Sequence, residues 1–186
     1  MRIIGGRFKS RALVAPAGRG TRPTADRVRE SVFNVLEHAD WSTGLGGRRV
    51  LDLFAGAGAL GLEALSRGAA FALFVDTDTA ARGAIRDNIE ALGLYGATRI
   101  HRRDATDLGA RPAGLGEPFD LVFLDPPYGK GLGEKALARL APGRWTAPGA
   151  IMVFECGQAE APPALGFERI DERAYGPAKV LFLKAS

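Results

Sequence analysis

The chain has 186 residues, 46% of them hydrophobic, enough for one domain burying roughly 70% of its unfolded-chain surface and too few for two of that size. Its single cysteine, Cys156, forms no internal disulfide, and no charged stretch leading into a long apolar run opens the chain, so the expected setting is a reducing cytoplasm without a membrane span. The formal charge of +4 is uneven: residues 1–30 hold eight Arg or Lys against Asp26 and Glu30, whereas the rest holds 17 basic and 19 acidic residues. That asymmetry predicts a basic N-terminal arm (1–23) on a near-neutral body, with Arg7, Lys9, Arg11, Arg19 and Arg22 as candidate RNA-phosphate contacts; a solvated leader is the plainer alternative.

After the arm, Pro23 and Thr24 start a helix over 24–38, in which Val28, Val32, Val35 and Leu36 share one face. A Gly-rich break over 43–47 precedes a strand at 50–54, and the catalytic core is expected to run from 48 to 186. A helix at 59–67, a strand at 71–75 and a helix at 79–92 follow, the helices closed by Gly68 and Gly93. Strands at 98–102, 120–124 and 150–154 and a helix at 133–140 continue the alternation. This order implies an α/β fold, a mainly parallel sheet with helices on both faces and right-handed crossovers. Residues 167–174 and 179–184 leave no room for a crossover helix and read as an antiparallel hairpin.

Ligands of such sheets bind beyond the carboxyl ends of the strands. The first strand runs into Gly56-Ala57-Gly58-Ala59-Leu60-Gly61, a spacing that lets backbone N–H groups and a helix N-terminus approach a ligand but also fits dinucleotide-binding dehydrogenases. Asp52, inside that strand, needs a partner or a ligand and suits a cationic amino acid moiety. Asp76 ends the second strand where a carboxylate can accept ribose hydroxyls, and Asp104 after the third is a candidate for an adenine amino group or an ordinary loop aspartate. The fourth strand discriminates, because it ends in Asp125-Pro126-Pro127-Tyr128. Two prolines remove donors and fix the backbone, so the segment presents acceptors beside an aromatic face, as an exocyclic amino group requires. Stacking by Tyr128 would hold the base plane. A rigid turn capped by an acid is the bland reading of these four residues alone.

With those residues the chain resembles the class I amino-methyltransferases. Met1-Arg2-Ile3-Ile4-Gly5-Gly6, the segment from Thr21 to Glu30, Leu51-Asp52-Leu53-Phe54-Ala55-Gly56, Gly58 to Arg67, Asn88, Phe119 to Tyr128 and Arg173-Ala174-Tyr175-Gly176 narrow the resemblance to the RsmD family of 16S rRNA guanine-N2 methyltransferases. The resemblance implies a single Rossmann-like class I methyltransferase domain over 1–186, a seven-stranded sheet, S-adenosylmethionine as cofactor, and a guanine of small-subunit rRNA, in the subunit or an assembly intermediate, as substrate. It assigns Asp52, Gly56 and Gly58 to the methionine end of the cofactor, Asp76 to the ribose, Asp104 to the adenine and Asp125, Pro126, Pro127 and Tyr128 to the target base, and sets the helix from Thr24 beside the cofactor. Two departures stand out. Asp76 replaces the Glu expected in many relatives, with Asp78 able to share its task, and the connection at 157–166 is short enough to lack a helix before the hairpin.

The alternatives are methylation of adenine N6 or cytosine N4 in DNA, for which no target-recognition domain is visible, an NAD-dependent oxidoreductase, and a noncatalytic RNA-binding module. A monomer is expected. His38 and His101 lack metal-ligand spacing to each other or to Cys156, so no metal site is expected; Cys156 reads as a small buried residue, and Trp41 and Trp145 as packing residues.

Overall fold

The computed structural model describes residues 1–18 and 23–186, Pro23 and Thr24 by backbone alone. In chain order the elements are α1 (Pro23–His38), β1 (Arg49–Leu53), α2 (Ala59–Ser66), β2 (Phe71–Val75), α3 (Thr79–Leu92), β3 (Thr98–His101), β4 (Phe119–Leu124), α4 (Leu132–Leu140), β5 (Thr146–Gly157), β6 (Glu168–Tyr175) and β7 (Ala178–Lys184). The strands form one seven-stranded sheet in the order β3-β2-β1-β4-β5-β7-β6. The first five are parallel, and β7 runs antiparallel to both β5 and β6. The expected α/β class, with its terminal hairpin, is the one observed. Strand order reverses between β1 and β4, the switch point at which a crevice opens beyond the strand ends.

The period-two alternation of side chains divides the core. Val50, Ala72, Phe74, Leu121, Phe123, Val153 and Phe182 join Val32 and Phe33 of α1, Leu62 and Leu65 of α2, and Ile85 and Ile89 of α3 on one face. Leu51, Leu53, Leu73, Val75, Val122, Leu124, Met152 and Phe154 join Ala136, Leu137 and Leu140 of α4 on the other, with Trp145 fully buried among them. Both layers are apolar because a parallel sheet is buried on both sides.

Element boundaries moved where a cap or a break decides them. The first strand stops at Leu53, since Phe54 adopts a left-handed φ of 58°. Asp78 caps α3 by accepting the Ala80 N–H at 3.1 Å, and Gly93, at φ 67°, closes it. The largest difference is β5, expected over 150–154 and observed over Thr146–Gly157. Pro148 and Gly149 interrupt its apolar pattern, and the register against β4 shifts between Phe119 and Leu121, so the strand continues through an irregularity. Cys156 therefore lies within β5 rather than after it, as does Glu155. The connection after β5 carries no helix, as its length predicts.

The free basic arm is corrected for its first fourteen residues. They double back, with Arg2 and Ala12 forming an antiparallel bridge and Ile3 and Leu13 buried in the core. Glu63 of α2, itself fully buried, accepts the Ile4 N–H at 2.9 Å and the Gly5 N–H at 2.8 Å; Asn88 of α3 accepts the Val14 N–H at 2.7 Å and donates to the Val14 carbonyl at 3.0 Å. A segment anchored by buried side chains and paired backbone groups is part of the body, whatever its charge.

Candidate active site

The site is a row of acids set by register along the carboxyl edge of the sheet. Asp52 pairs with Phe74 of β2 and Phe123 of β4, and Phe123 pairs with Val153 of β5. Two residues further along each strand, on the same face, the alternation reaches Asp76, Asp125 and Glu155. Four carboxylates thus rise from four adjacent strands on the face carrying α1, α2 and α3. Among the described residues, no Lys or Arg pairs with Asp52, Asp125 or Glu155.

Asp52 is 1% exposed, and its Oδ2 accepts the Gly61 N–H at 3.0 Å. Gly61 is required here, because a Cβ on it would stand 2.5 Å from Cε1 of the buried Phe74 and 3.2 Å from Asp52 Oδ2. Burial lifts the Asp52 carboxyl well above the usual carboxylate range, against the pull of the Gly61 bond, and the charges of Asp125 and Asp76 add to the rise. Asp76 folds the glycine loop: its Oδ2 accepts the Gly56 N–H at 2.9 Å and its Oδ1 the Asp78 N–H at 2.9 Å. Gly56, at φ 59°, has nothing within 4 Å of where a side chain would begin, so the loop leaves open space there. Phe54 with its left-handed backbone, Gly56 and Gly58 at φ 79° make a tight turn open to close backbone approach. Asp78, which could share the ribose with Asp76, caps α3 through Oδ1.

Asp104 is exposed at the start of a single 3-10 turn over Ala105–Asp107. Its Oδ1 accepts from Thr106 N at 2.8 Å and Thr106 Oγ1 at 2.7 Å, bonds that hold its carboxyl below the usual value.

Beyond the end of β4, Pro126 is buried while Asp125, Pro127 and Tyr128 are exposed. The Asp125 carboxyl is nevertheless pushed up to about 7, first because surrounding protein strips water from it and then because Glu155 faces it. An open residue whose carboxyl is crowded describes the floor of a concave site rather than a core position. Tyr128 donates its hydroxyl to Glu155 Oε1, and desolvation together with that acceptor keeps the phenol protonated far above its ordinary range.

The structure brings Asp52, Gly56, Gly58, Asp76 and Asp125 to Tyr128 together around the switch point, with Asp104 beyond the neighbouring strand. It does not bring Arg7, Lys9 and Arg11 there. All three are exposed, but the Arg7 N–H is held by the Ser66 carbonyl and the Arg11 guanidinium by the Ala91 carbonyl, at the C-terminal ends of α2 and α3, which turn away from the carboxyl edge of the strands. Arg19 and Arg22 lie outside the described residues. Asn88 Nδ2 also donates to the Ala57 carbonyl at 3.0 Å, joining the N-terminal segment to the glycine loop. Sequence reasoning gave Asn88, Glu63 and Glu155 no role, although each stands as a lone polar residue in an apolar pattern, the signal that would have found them. Cys156 is buried, which pushes its thiol up to about 11. Trp41 packs on Phe182 with ring centroids 5.3 Å apart, and Trp145 donates to the Gly109 carbonyl. Among the described residues no three His, Cys, Asp or Glu side chains are grouped to hold a metal, and no helix is long and apolar enough to cross a membrane.

A model of the family described as conserved hypothetical protein 95 matches residues 1–184. The ribosomal RNA small subunit methyltransferase D of Escherichia coli K12 is 39% identical over 83% of the chain and 74% of its own length. A Bacillus subtilis protein, YlbH, provisionally described as an rRNA methyltransferase, is 44% identical over 69% of the chain and 67% of its own. The solved structure of the E. coli protein yhhF, provisionally described as a methyltransferase, superposes with a TM-score of 0.81 over 100% of the chain and 98% of its own at 34% identity.

Proposed function

Because the chain belongs to the conserved hypothetical protein 95 family, alongside small-subunit ribosomal RNA methyltransferases D, we propose that it transfers a methyl group from S-adenosylmethionine to the exocyclic N2 of a guanine in 16S ribosomal RNA. The observation that carries this reading is the register that aligns the Asp125-Pro126-Pro127-Tyr128 segment beside the Gly56 loop across the β1–β4 switch point. Residues and cofactor fit each other. Open space at Gly56 admits a ligand, and a row of acids without a cationic partner among the described residues favours one that brings positive charge. Asp52 and the Gly56–Gly58 turn would hold the methionine end, Asp76 the ribose hydroxyls and Asp104 the adenine amino group.

When bound, S-adenosylmethionine would supply an electrophilic methyl carbon on a sulfonium, whose sulfur would leave with the bonding electrons as the amine lone pair takes the methyl. The protein's contribution is position and polarity. Asp125 and the Pro126 carbonyl accept the two N–H groups of N2 and draw its lone pair out of the ring, while Tyr128 stacks on the base. The amine then sheds one proton, for which the raised Asp125 carboxylate is a suitable acceptor. A guanine within a helix must first be unstacked to enter. Arg7, Lys9 and Arg11 would contact phosphates of RNA reaching round the molecule rather than those flanking the target base.

The reading implies a monomer working where ribosomal subunits are built, in the cytoplasm. The test is incubation of the purified protein with labelled S-adenosylmethionine and, separately, small ribosomal subunits, stripped rRNA and duplex DNA from cells lacking the enzyme, with nucleoside mass spectrometry of the products. N2-methylguanosine in small-subunit rRNA, absent with Asp125→Ala, is the expected result. N6-methyladenine or N4-methylcytosine in DNA would move the substrate, and no transfer would overturn the reading.

A further inference from the structure

The Asp-Pro-Pro-Tyr segment does not stand alone at the strand end. Glu155 Oε1 accepts the Tyr128 hydroxyl, and Glu160, in the connection after β5, accepts the Gly129 N–H at 3.0 Å and the Gly157 N–H. The segment is thus tied at two successive residues to the end of the neighbouring strand. Pro126, Pro127, Tyr128, Glu155 and Glu160 line one small cleft. Glu155 is the lone acid of the apolar stretch 150–156, on the face of Ile151 and Val153, and the β4–β5 register sets it opposite Asp125. Two facing carboxylates in a partly dehydrated crevice oppose each other, and packing alone calls for no acid at that position.

Building on the functional reading above, we propose that Glu155 is a positioning residue for methyl transfer: it fixes the Tyr128 ring through the phenol for stacking on the target base, and its charge tunes the basicity of Asp125. The first role follows from geometry. A charge-assisted bond from the phenol removes the ring's freedom to swing out of the crevice, so less ordering remains when the base arrives. The second follows from the groups facing Asp125, which are Asp52 of β1, Glu155 of β5 and Tyr128 of its own loop. Desolvation raises the Asp125 carboxyl first, and of these groups Glu155, set opposite it by the β4–β5 register, adds to the rise, making Asp125 a better proton acceptor at neutral pH.

The two roles separate in Glu155→Gln, whose amide oxygen still accepts the phenol but whose charge is gone. The test measures kcat, KM for the RNA acceptor and the pH profile of kcat/KM in the wild type, Glu155→Gln, Glu155→Ala, Tyr128→Phe and the Tyr128→Phe/Glu155→Ala double variant. It also follows the Asp125 carboxyl by 13C NMR titration, which needs no acceptor. Glu155→Gln is expected to lower the pH at which Asp125 titrates and to move the acidic limb of the profile with it, leaving KM within about threefold. Glu155→Ala and Tyr128→Phe are each expected to raise KM about tenfold, the low end of a base-stacking contribution, and the double variant no further than either single one. An Asp125 titration unchanged in Glu155→Gln, or additive effects in the double variant, would overturn the inference. A wild-type protein that methylates nothing overturns the functional reading instead, and the NMR titration still decides the link between Glu155 and Asp125.

Discussion

Replacing Glu63 with Ala tests whether the N-terminal segment is structural. Glu63 is fully buried in α2, yet its two oxygens serve four groups: the Ile4 and Gly5 N–H groups, the Arg67 guanidinium at 2.8 Å, and Arg29 with Nε 3.8 Å away. The variant leaves two backbone donors unpaired and two buried guanidiniums short of a counter-charge. Arg67 retains Glu37 at 2.8 Å and Arg29 retains Asp26 at 3.1 Å, so neither is abandoned. Breaking a buried pair from one side costs about 3–5 kcal/mol, and the remaining partners argue for the lower half of that range. For a chain of this length about 3–4 kcal/mol corresponds to a melting temperature lower by roughly 6–16 °C. Glu63→Gln keeps one acceptor oxygen and should lose about half as much. Urea and thermal unfolding give the values, and hydrogen exchange at Ile4 and Gly5 locates the loss in the segment. A Glu63→Ala protein within about 1 kcal/mol of the wild type, or one with undiminished protection at those amides, would refute the reasoning.

Asp52 and Asp125 titrate above the ordinary carboxylate value in the folded protein, so the folded state holds their protons more tightly than the unfolded one. Their contribution to stability is therefore present below about pH 4 and is lost as the pH rises through their folded-state values, about 7 for Asp125, whereas Asp104 and Asp171, both lowered, contribute above about pH 4 and lose it below. Thermal melts of the cofactor-free protein should decline between pH 5 and 7, less steeply in Asp125→Asn; an identical slope in that variant refutes the assignment. Because Asp125 is open to solvent, its share should be shallower than the roughly 1.4 kcal/mol per pH unit of one fully linked proton. Asn88→Ala removes three hydrogen bonds, two to Val14 and one to the Ala57 carbonyl, and should cost about 2–4 kcal/mol in urea unfolding while weakening cofactor binding measured by calorimetry. Unchanged affinity would show that the glycine loop holds its shape without it. Cys156, buried with its thiol pushed up to about 11, should resist a thiol reagent at pH 8 until the protein is unfolded; rapid labelling of the native protein would contradict its burial.

Much of the fold was legible because its signals are local. Apolar runs of strand length alternating with amphipathic stretches, and Gly68 and Gly93 at helix ends, describe an α/β chain. The tail lacked residues for a crossover, and a hairpin followed. The Gly56–Gly61 turn and the Asp125–Tyr128 segment were legible too, since each is a contiguous run whose chemistry resides in its own backbone. What escaped was the work of single residues acting over distance. Glu155 was hidden because the strand was expected to end one residue before it, and its partner Tyr128 lies 27 positions away. Asn88 and Glu63 show locally as lone polar residues on apolar faces, but the segments they reach lie 74 and about 59 residues away, and no local pattern names those partners.

The basic N-terminus shows the division most clearly. Its charge could be counted from the sequence, and charge suggested a free arm. Only the assembled α2 and α3 reveal the groove that buries Ile3 and Leu13 and the acceptors that satisfy the backbone beside them. By itself the sequence determined the order of elements, the glycine-rich turn after the first strand and the rigid acceptor segment, because these follow from propensity and covalent constraint along a short run. The tertiary structure decided that the acids of four strands share one face, and that the Asp125–Tyr128 segment is braced by its neighbour. Strand register, a property of pairs of distant segments, fixes which side chains share a face.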